Sequence, residues 1–331
     1  MSTIKAVIHD TATTASVHDV PKPTPGPSEL LVKVSHVGLN PVDAKLGQPG
    51  SRVGFDFVGE VVALGADAPS DKFKPGDRVS GIVHGSALPN QGTAAEYTAV
   101  EAAFAFHIPQ SVADADAVTY DTSALTPAIA LYDKLGLPLP PATVPGSPWF
   151  LVSGGATTVG LFAIQYAKRA GLRVIATASK RSEALVRSFG ADVVVDYHDP
   201  QAAIAQVKNA TAGGEVAYAF EAAGTWDIIL GSIKPGAKVS TVTGPPTTPP
   251  AGVDIAPVWL LTAFKTAPAI FPYNGRDAAA LAAAVAQLPA FIDAGLKPIP
   301  VDLRSGLERI PEGLDELRAG KVSGKKLVYK I

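Results

Sequence analysis

The stretch WFLVSGGATTVGLFAIQYAKRAGLRVIATASKRS (149–182) decides the fold. It opens on an apolar run, turns through Ser153-Gly154-Gly155-Ala156-Thr157-Thr158-Val159-Gly160, continues as the amphipathic LFAIQYAKRAG, and closes on the β-branched run RVIATAS. Apolar runs of this length on either side of a helical period predict strand, turn, helix and strand. A crossover between two such strands is right-handed and makes them parallel neighbours. A glycine turn at a helix N-terminus lets the backbone approach a phosphate and presents free N–H groups along the helix dipole. That is the context a dinucleotide fingerprint requires, although the glycines depart from G-x-G-x-x-G and threonines fill the middle. Ser153, Gly154, Gly155, Ala156, Thr157, Thr158 and Val159 are therefore the expected contacts of a dinucleotide.

The end of the second strand bears on which dinucleotide. An acid there would bond a ribose 2′-hydroxyl. Here Ser179-Lys180-Arg181 follow the strand, and no acid comes before Glu183. A hydroxyl and two cations suit a 2′-phosphate, so NADPH is the expected cofactor. The competing reading is a solvated basic turn at a helix start. Beyond it the alternation continues through ADVVVDY, PQAAIAQVKNAT, VAYAFEAAG and AKVSTVTG. Ligands of open parallel sheets lie at the carboxyl ends of the strands. Tyr197, at the adenosine end, and Ala223 and Thr243 join the expected cofactor contacts.

Outward from this core the texture changes. Residues 4–100 read as short β segments (KAVIHD, LLVKVSHVGL, FVGEVVALG, DRVSGIV) punctuated by Gly and Pro, which predicts a β-rich barrel or sandwich. ADADAVTYDTSALTPAIALYDKLG has helical spacing interrupted by Pro127, and a prolyl linker (Pro138 to Pro148) leads into the decisive stretch. After about Thr266 come an Ala-rich helix (Asp277 to Ala294), a strand-like KPIPVDLR, the helix EGLDELRAG and a final strand KKLVYKI, which reads as a return to the first domain.

A chain of 331 residues is long enough for two cores. With 47% hydrophobic and 18% charged residues it is a packed protein and not a disordered one. A net charge of -2 without basic runs removes the electrostatic footprint of nucleic-acid or anionic-membrane binding. There is no cysteine, which excludes disulfides, thiol nucleophiles and cysteine-containing zinc sites. The six histidines are scattered without ligand spacing, so no metal is expected. Neither a signal peptide nor a bilayer-length apolar run is visible, and a cytoplasmic location is the expectation.

VGLNPVDAKLG (37–47), GFDFVGEVVALG (54–65), FKPGDRVSG (73–81), GTAAEYTAV (92–100), the SGGATTVG loop and GKVSGKKLVYKI (320–331) together resemble the medium-chain dehydrogenase/reductase superfamily. Within it the chain is most similar to the zinc-free quinone oxidoreductases and the fungal trans-acting enoyl reductases. The resemblance implies an α/β fold, a Rossmann doubly wound parallel sheet inserted in a GroES-like β-rich domain. The implied boundaries are 1–122 with 268–331 for the GroES-like catalytic domain and 123–267 for the NADPH-binding domain. Where zinc-dependent members carry a cysteine and a Gly-His-Glu, this chain has Asn40 and Gly54-Phe55-Asp56.

The resemblance also implies a substrate cleft lined by the NP-x-D segment. Lys45 matches a lysine of the trans-acting enoyl reductases and would stabilise a developing enolate, against the alternative of an idle surface lysine. Thr126 matches a threonine near the nicotinamide, against a hydroxyl bonded to its own helix. Tyr120 is a candidate proton donor, or a packing residue. Asn40 is an expected cofactor contact and, with Asp43, a support of its loop; Lys325 is a further expected cofactor contact. Trp259, Phe264, Phe271 and Tyr273 would shape the substrate pocket, or simply pack. The expected activity is NADPH-dependent reduction of an activated C=C in a small molecule or a carrier-bound acyl chain. The alternatives are carbonyl or quinone reduction at the same site, and a catalytically idle NADPH binder. Both monomer and homodimer are compatible with the resemblance.

Overall fold

The computed structural model describes residues 2–213, 216–266 and 271–331. The chain forms two compact units, Met1–Leu125 with Leu260–Ile331, and Thr126–Trp259. The expected second boundary, between 267 and 268, lies outside the described residues.

The unit Thr126–Trp259 is built on a six-stranded parallel sheet. Its spatial order is Val193–Val195, Arg173–Thr177, Trp149–Ser153, Val216–Glu221, Ile233–Thr241, Asp254–Pro257. The first strand in sequence lies centrally, and the order runs outward from it in both directions, which makes a doubly wound sheet. Strands buried on both faces need apolar side chains throughout. Leu151, Ile175, Val195, Ala219 and Val239 accordingly form a core with Ala203 and Val207 of one crossover helix and Ile228 and Ile229 of another. The helix Thr158–Arg169 buries Leu161, Phe162, Ala163, Ile164 and Tyr166, and its last turn carries Lys168 and Arg169 where the dipole favours cations.

The helical region expected over 113–136 is divided. Helices occupy Asp114–Ala117 and Thr122–Ala128, and the chain then widens through Ile129–Lys134, where the Leu135 N–H reaches back five residues to the Ala130 carbonyl at 2.9 Å. Pro127 has no N–H to donate and its ring crowds the preceding turn, so a regular helix cannot run through it undisturbed.

In the other unit the sheet order is Val301–Ser305, Lys326–Lys330, Glu29–Gly38, Asp56–Leu64, Arg78–Ile82, Ala105–His107, with Tyr97–Glu101 also on Glu29–Gly38. Beside it lies the hairpin Thr3–His9 with Ala15–Pro21. Val32, Val37, Phe57, Val58, Val61, Val79 and Ile82 are fully buried. The C-terminal strand pairs antiparallel with Val37 and Gly38, so the chain end does return to its first domain. Two helices follow the expected patterns, Gly275–Asp293, capped by the Asn274 side chain, and Ile310–Arg318.

Candidate functional site

The nucleotide loop sits at the carboxyl end of Trp149–Ser153. Gly154 takes a left-handed φ of +81°, which a side chain would strain. Its N–H donates to Thr177 Oγ1 at 2.9 Å, and the Gly155 N–H donates to the Thr177 carbonyl at 2.8 Å, tying the turn to the next strand. Thr157 caps the following helix: Oγ1 accepts the Gly160 N–H at 3.0 Å and donates to the Gly154 carbonyl at 2.8 Å. A Cβ on Gly160 would lie 2.2 Å from that carbonyl, so only glycine lets the helix start this close to the turn. Ala156, Thr158 and Val159 stay partly exposed, and first-turn N–H groups have no acceptor within their own helix. The loop therefore offers donors around an open helix N-terminus, which fits a dinucleotide pyrophosphate.

Beneath the loop lies a residue that the sequence reading passed over. Glu221, fully buried at the end of its strand, accepts the N–H of Ala223 at 2.7 Å and that of Gly224 on Oε1. Its Oε2 accepts the Thr241 hydroxyl at 3.1 Å and the Thr243 hydroxyl. Ser153 Oγ stands 3.5 Å from Oε1 and bonds Thr225 Oγ1. One carboxylate thus gathers Ser153, Ala223 and Thr243, three expected cofactor contacts. A lone acid inside the apolar VAYAFEAAG was its visible signal.

Ser179 is half-buried, whereas Lys180 and Arg181 are exposed in a short turn after Arg173–Thr177 and form no hydrogen bond or ion pair among the described residues. Tyr197 is exposed and stacks on His198 at 4.6 Å, and His198 is bonded in turn to Asp196. Thr126 is buried, and its hydroxyl finds no acceptor among the described residues, its own helix included. Trp259 is half-buried near Gly244.

In the other unit Lys45 is exposed at the last position of the short helix Pro41–Lys45. Asn40 and Asp43 have the supporting role expected of them: Asp43 accepts the N–H of Asn40 at 2.8 Å and of Gly54 at 3.1 Å. As a cofactor contact, however, Asn40 is largely committed: its amide accepts from Lys326 Nζ at 2.7 Å and donates to Asp56 Oδ2 at 2.9 Å. Tyr120 takes the packing alternative in its contacts: its phenol is buried and donates to the Leu296 carbonyl at 2.8 Å, and burial with the Asp116 charge pushes its pKa up. Lys325, another expected cofactor contact, pairs with Asp302 at 2.6 Å, half in solvent. Lys325 lies in the bend before the strand, and the next residue, Lys326, opens Lys326–Lys330 with its side chain buried. Phe264 packs against His84 (5.4 Å) and Phe104 (5.2 Å), while Phe271 is half-buried and Tyr273 exposed.

Around Lys326 the carboxyls of Asp43, Asp56 and Asp121 are all buried. Burial and the Asp56 charge push Asp43 up to about 7 and raise Asp121 well above the carboxylate range. Ser80 Oγ donates toward both the Phe57 carbonyl at 2.8 Å and Asp121 Oδ1 at 2.9 Å.

Residues 26–110 match the alcohol dehydrogenase GroES-like domain, and 158–278 match the zinc-binding dehydrogenase family. The trans-enoyl reductase caaB of Aspergillus niger is 35% identical over 95% of this chain and 93% of its own length. The chain belongs to the medium-chain dehydrogenase/reductase superfamily. Another relative of this superfamily member, the trans-enoyl reductase ACTTS2 of Alternaria alternata, is 33% identical over the full length of both chains. A mycobacterial protein solved in complex with NADPH shares the fold of this oxidoreductase at a TM-score of 0.78, 24% identity and full coverage of both chains. Zinc, which the second family description names, does not fit the residues of this member. It has no thiol, Phe55 is a core side chain, and oxygens of Asn40 and Asp56 are bonded to an ammonium. Among the described residues no three His, Asp or Glu side chains converge as a metal set, and no helix is long and apolar enough to cross a membrane.

Proposed function

We propose that this chain is an NADPH-dependent, zinc-independent reductase of activated C=C bonds in enones or enoyl thioesters. The observation that carries the reading is the likeness to trans-enoyl reductases along the whole chain, with the nucleotide loop intact. Preference for NADPH rests on Lys180 and Arg181, two exposed cations just after the second strand that have no partner among the described residues and would suit a 2′-phosphate, and on the lack of an acid at that strand end. Bound NADPH would supply the hydride. The loop 153–160 would hold the pyrophosphate by backbone N–H groups, with Glu221 fixing the neighbouring strand ends. Lys45, a spare cation, would bond the carbonyl oxygen on which negative charge develops. Thr126, with a spare hydroxyl, would donate near the nicotinamide carboxamide.

The test is NADPH consumption by purified protein against enones, enoyl thioesters, quinones and ketones, with NADH as control. Turnover of enones or enoyl thioesters with NADPH preferred is the expected result. Turnover confined to quinones or ketones overturns the C=C assignment. Tight NADPH binding without consumption on every acceptor overturns catalysis and leaves a binding protein.

A further inference from the structure

Lys326 is the second residue of a Lys-Lys pair near the chain end, yet its side chain is as buried as any in the core. Its ammonium lies 2.8 Å from Asp56 Oδ2, 2.7 Å from Asn40 Oδ1 and 3.3 Å from Ser123 Oγ. Three acceptors for three N–H donors leave the group saturated. Each acceptor belongs to a different segment. Asn40 precedes the helix Pro41–Lys45, and Ser123 lies in the first turn of Thr122–Ala128. Asp56 begins a strand, and its other oxygen accepts both the N–H (3.2 Å) and the hydroxyl of Thr122. Asp56 and Lys326 together therefore fix where both helices start.

The approach of the lysine is itself built in. A Cβ on Gly38 would lie 2.5 Å from Lys326 Cε, so the strand beside it carries glycine where the chain passes. A buried ion pair is weak evidence for stability, because desolvation consumes most of the attraction. Its geometry, in contrast, is specific: breaking it leaves an uncompensated buried charge.

We propose that Lys326 is a positioning residue: its buried ammonium, shared by Asp56, Asn40 and Ser123, holds in register the two helices that carry Lys45 and Thr126. The inference rests on the reductase reading for its catalytic consequence, but its structural part stands without substrate. Hydrogen exchange read by mass spectrometry on the full-length protein tests that part, with Lys326→Met and the charge-neutral Asp56→Asn/Lys326→Met.

In Lys326→Met the peptides covering 38–46 and 121–128 are expected to exchange at least about tenfold faster, while those of the parallel sheet keep their protection. The double variant, lacking the unpaired carboxylate, is expected to recover part of it. On the acceptor that wild type reduces, kcat is expected to fall about tenfold, with the NADPH dissociation constant within about threefold of wild type. Should Lys326→Met not accumulate folded, Gly38→Ala crowds the same side chain and is read in the same way. Unchanged exchange at both helix starts overturns the proposal. So does a uniform rise across the whole unit with unchanged kcat, which would mark the pair as merely structural. A wild type inert on every acceptor counts against the reductase reading alone, and the exchange arm still decides the positioning.

Discussion

Replacing Glu221 by glutamine or by alanine separates the charge of this residue from its acceptor geometry. The carboxylate takes two backbone N–H groups on one oxygen and two threonine hydroxyls on the other. Backbone donors cannot turn away, whereas hydroxyls can. Glutamine is therefore expected to keep its oxygen toward Ala223 and Gly224 and to turn its NH2 toward the threonines. Thr241 has another acceptor at hand, the Gly244 carbonyl at 3.4 Å. What glutamine loses is chiefly charge assistance, about 1–2 kcal/mol in total. Alanine strands both N–H groups, each costing roughly 1–3 kcal/mol when left unsatisfied, so about 4 kcal/mol is expected. The chain provides its own probe, because Trp149, Trp226 and Trp259 all lie in the unit Thr126–Trp259. Urea unfolding followed by tryptophan fluorescence thus reports that unit alone. Alanine no more damaging than glutamine, or both within about 0.5 kcal/mol of wild type, would refute the hub.

Further outcomes follow from other residues. Lys180→Ala/Arg181→Ala is expected to weaken NADPH binding by roughly 10- to 100-fold, at about 1.4 kcal/mol per tenfold, and NADH binding hardly at all. Equal losses in a fluorescence titration would count against a phosphate site. Asp43 has a folded pKa pushed above its unfolded value, to about 7, so its stabilising contribution is complete at low pH and is lost as pH rises through about 7. Wild type is expected to lose stability relative to Asp43→Asn between about pH 4 and pH 8, and parallel stability curves would refute this. Tyr120→Phe is expected to cost about 1 kcal/mol of stability and to leave turnover within about twofold. A tenfold fall in kcat at unchanged stability would return the phenol to the chemistry.

What could be read from the residues was local. The nucleotide loop announces itself because strand, glycine turn and helix are contiguous, and each imposes its own period. The basic turn after Thr177 was legible for the same reason. Pro127 was visible as an interruption, but the wide turn that follows depends on how the chain re-forms its bonds beyond the ring. Asp56 and Lys326 look ordinary in sequence, since their meaning lies in a pairing that spans the chain: Lys326 and Asn40 stand 286 residues apart. The one-residue choice between Lys325 and Lys326 turns on where the final strand begins: Lys325 stands in the bend before it, and Lys326 to Tyr329 are all buried, so the strand offers no alternation to read. Tyr120 shows the reverse, a chemically versatile group whose partner is a backbone carbonyl 176 residues away.

The strand that carries Lys326 also orders events during synthesis. The unit Thr126–Trp259 is one continuous piece of chain and leaves the ribosome whole. The segment around Asn40 and Asp56, made much earlier, waits through all of that translation for the ammonium that fits among its acids and for the strand that pairs with Val37 and Gly38. Closing a contact over so long a loop is slow, and surfaces left open meanwhile invite misassembly. Nascent chains stalled just before Lys326 are therefore expected to resist protease across the parallel sheet while residues 30–60 are still cut. Protection of both at once would show that the early strands hold without their last partner.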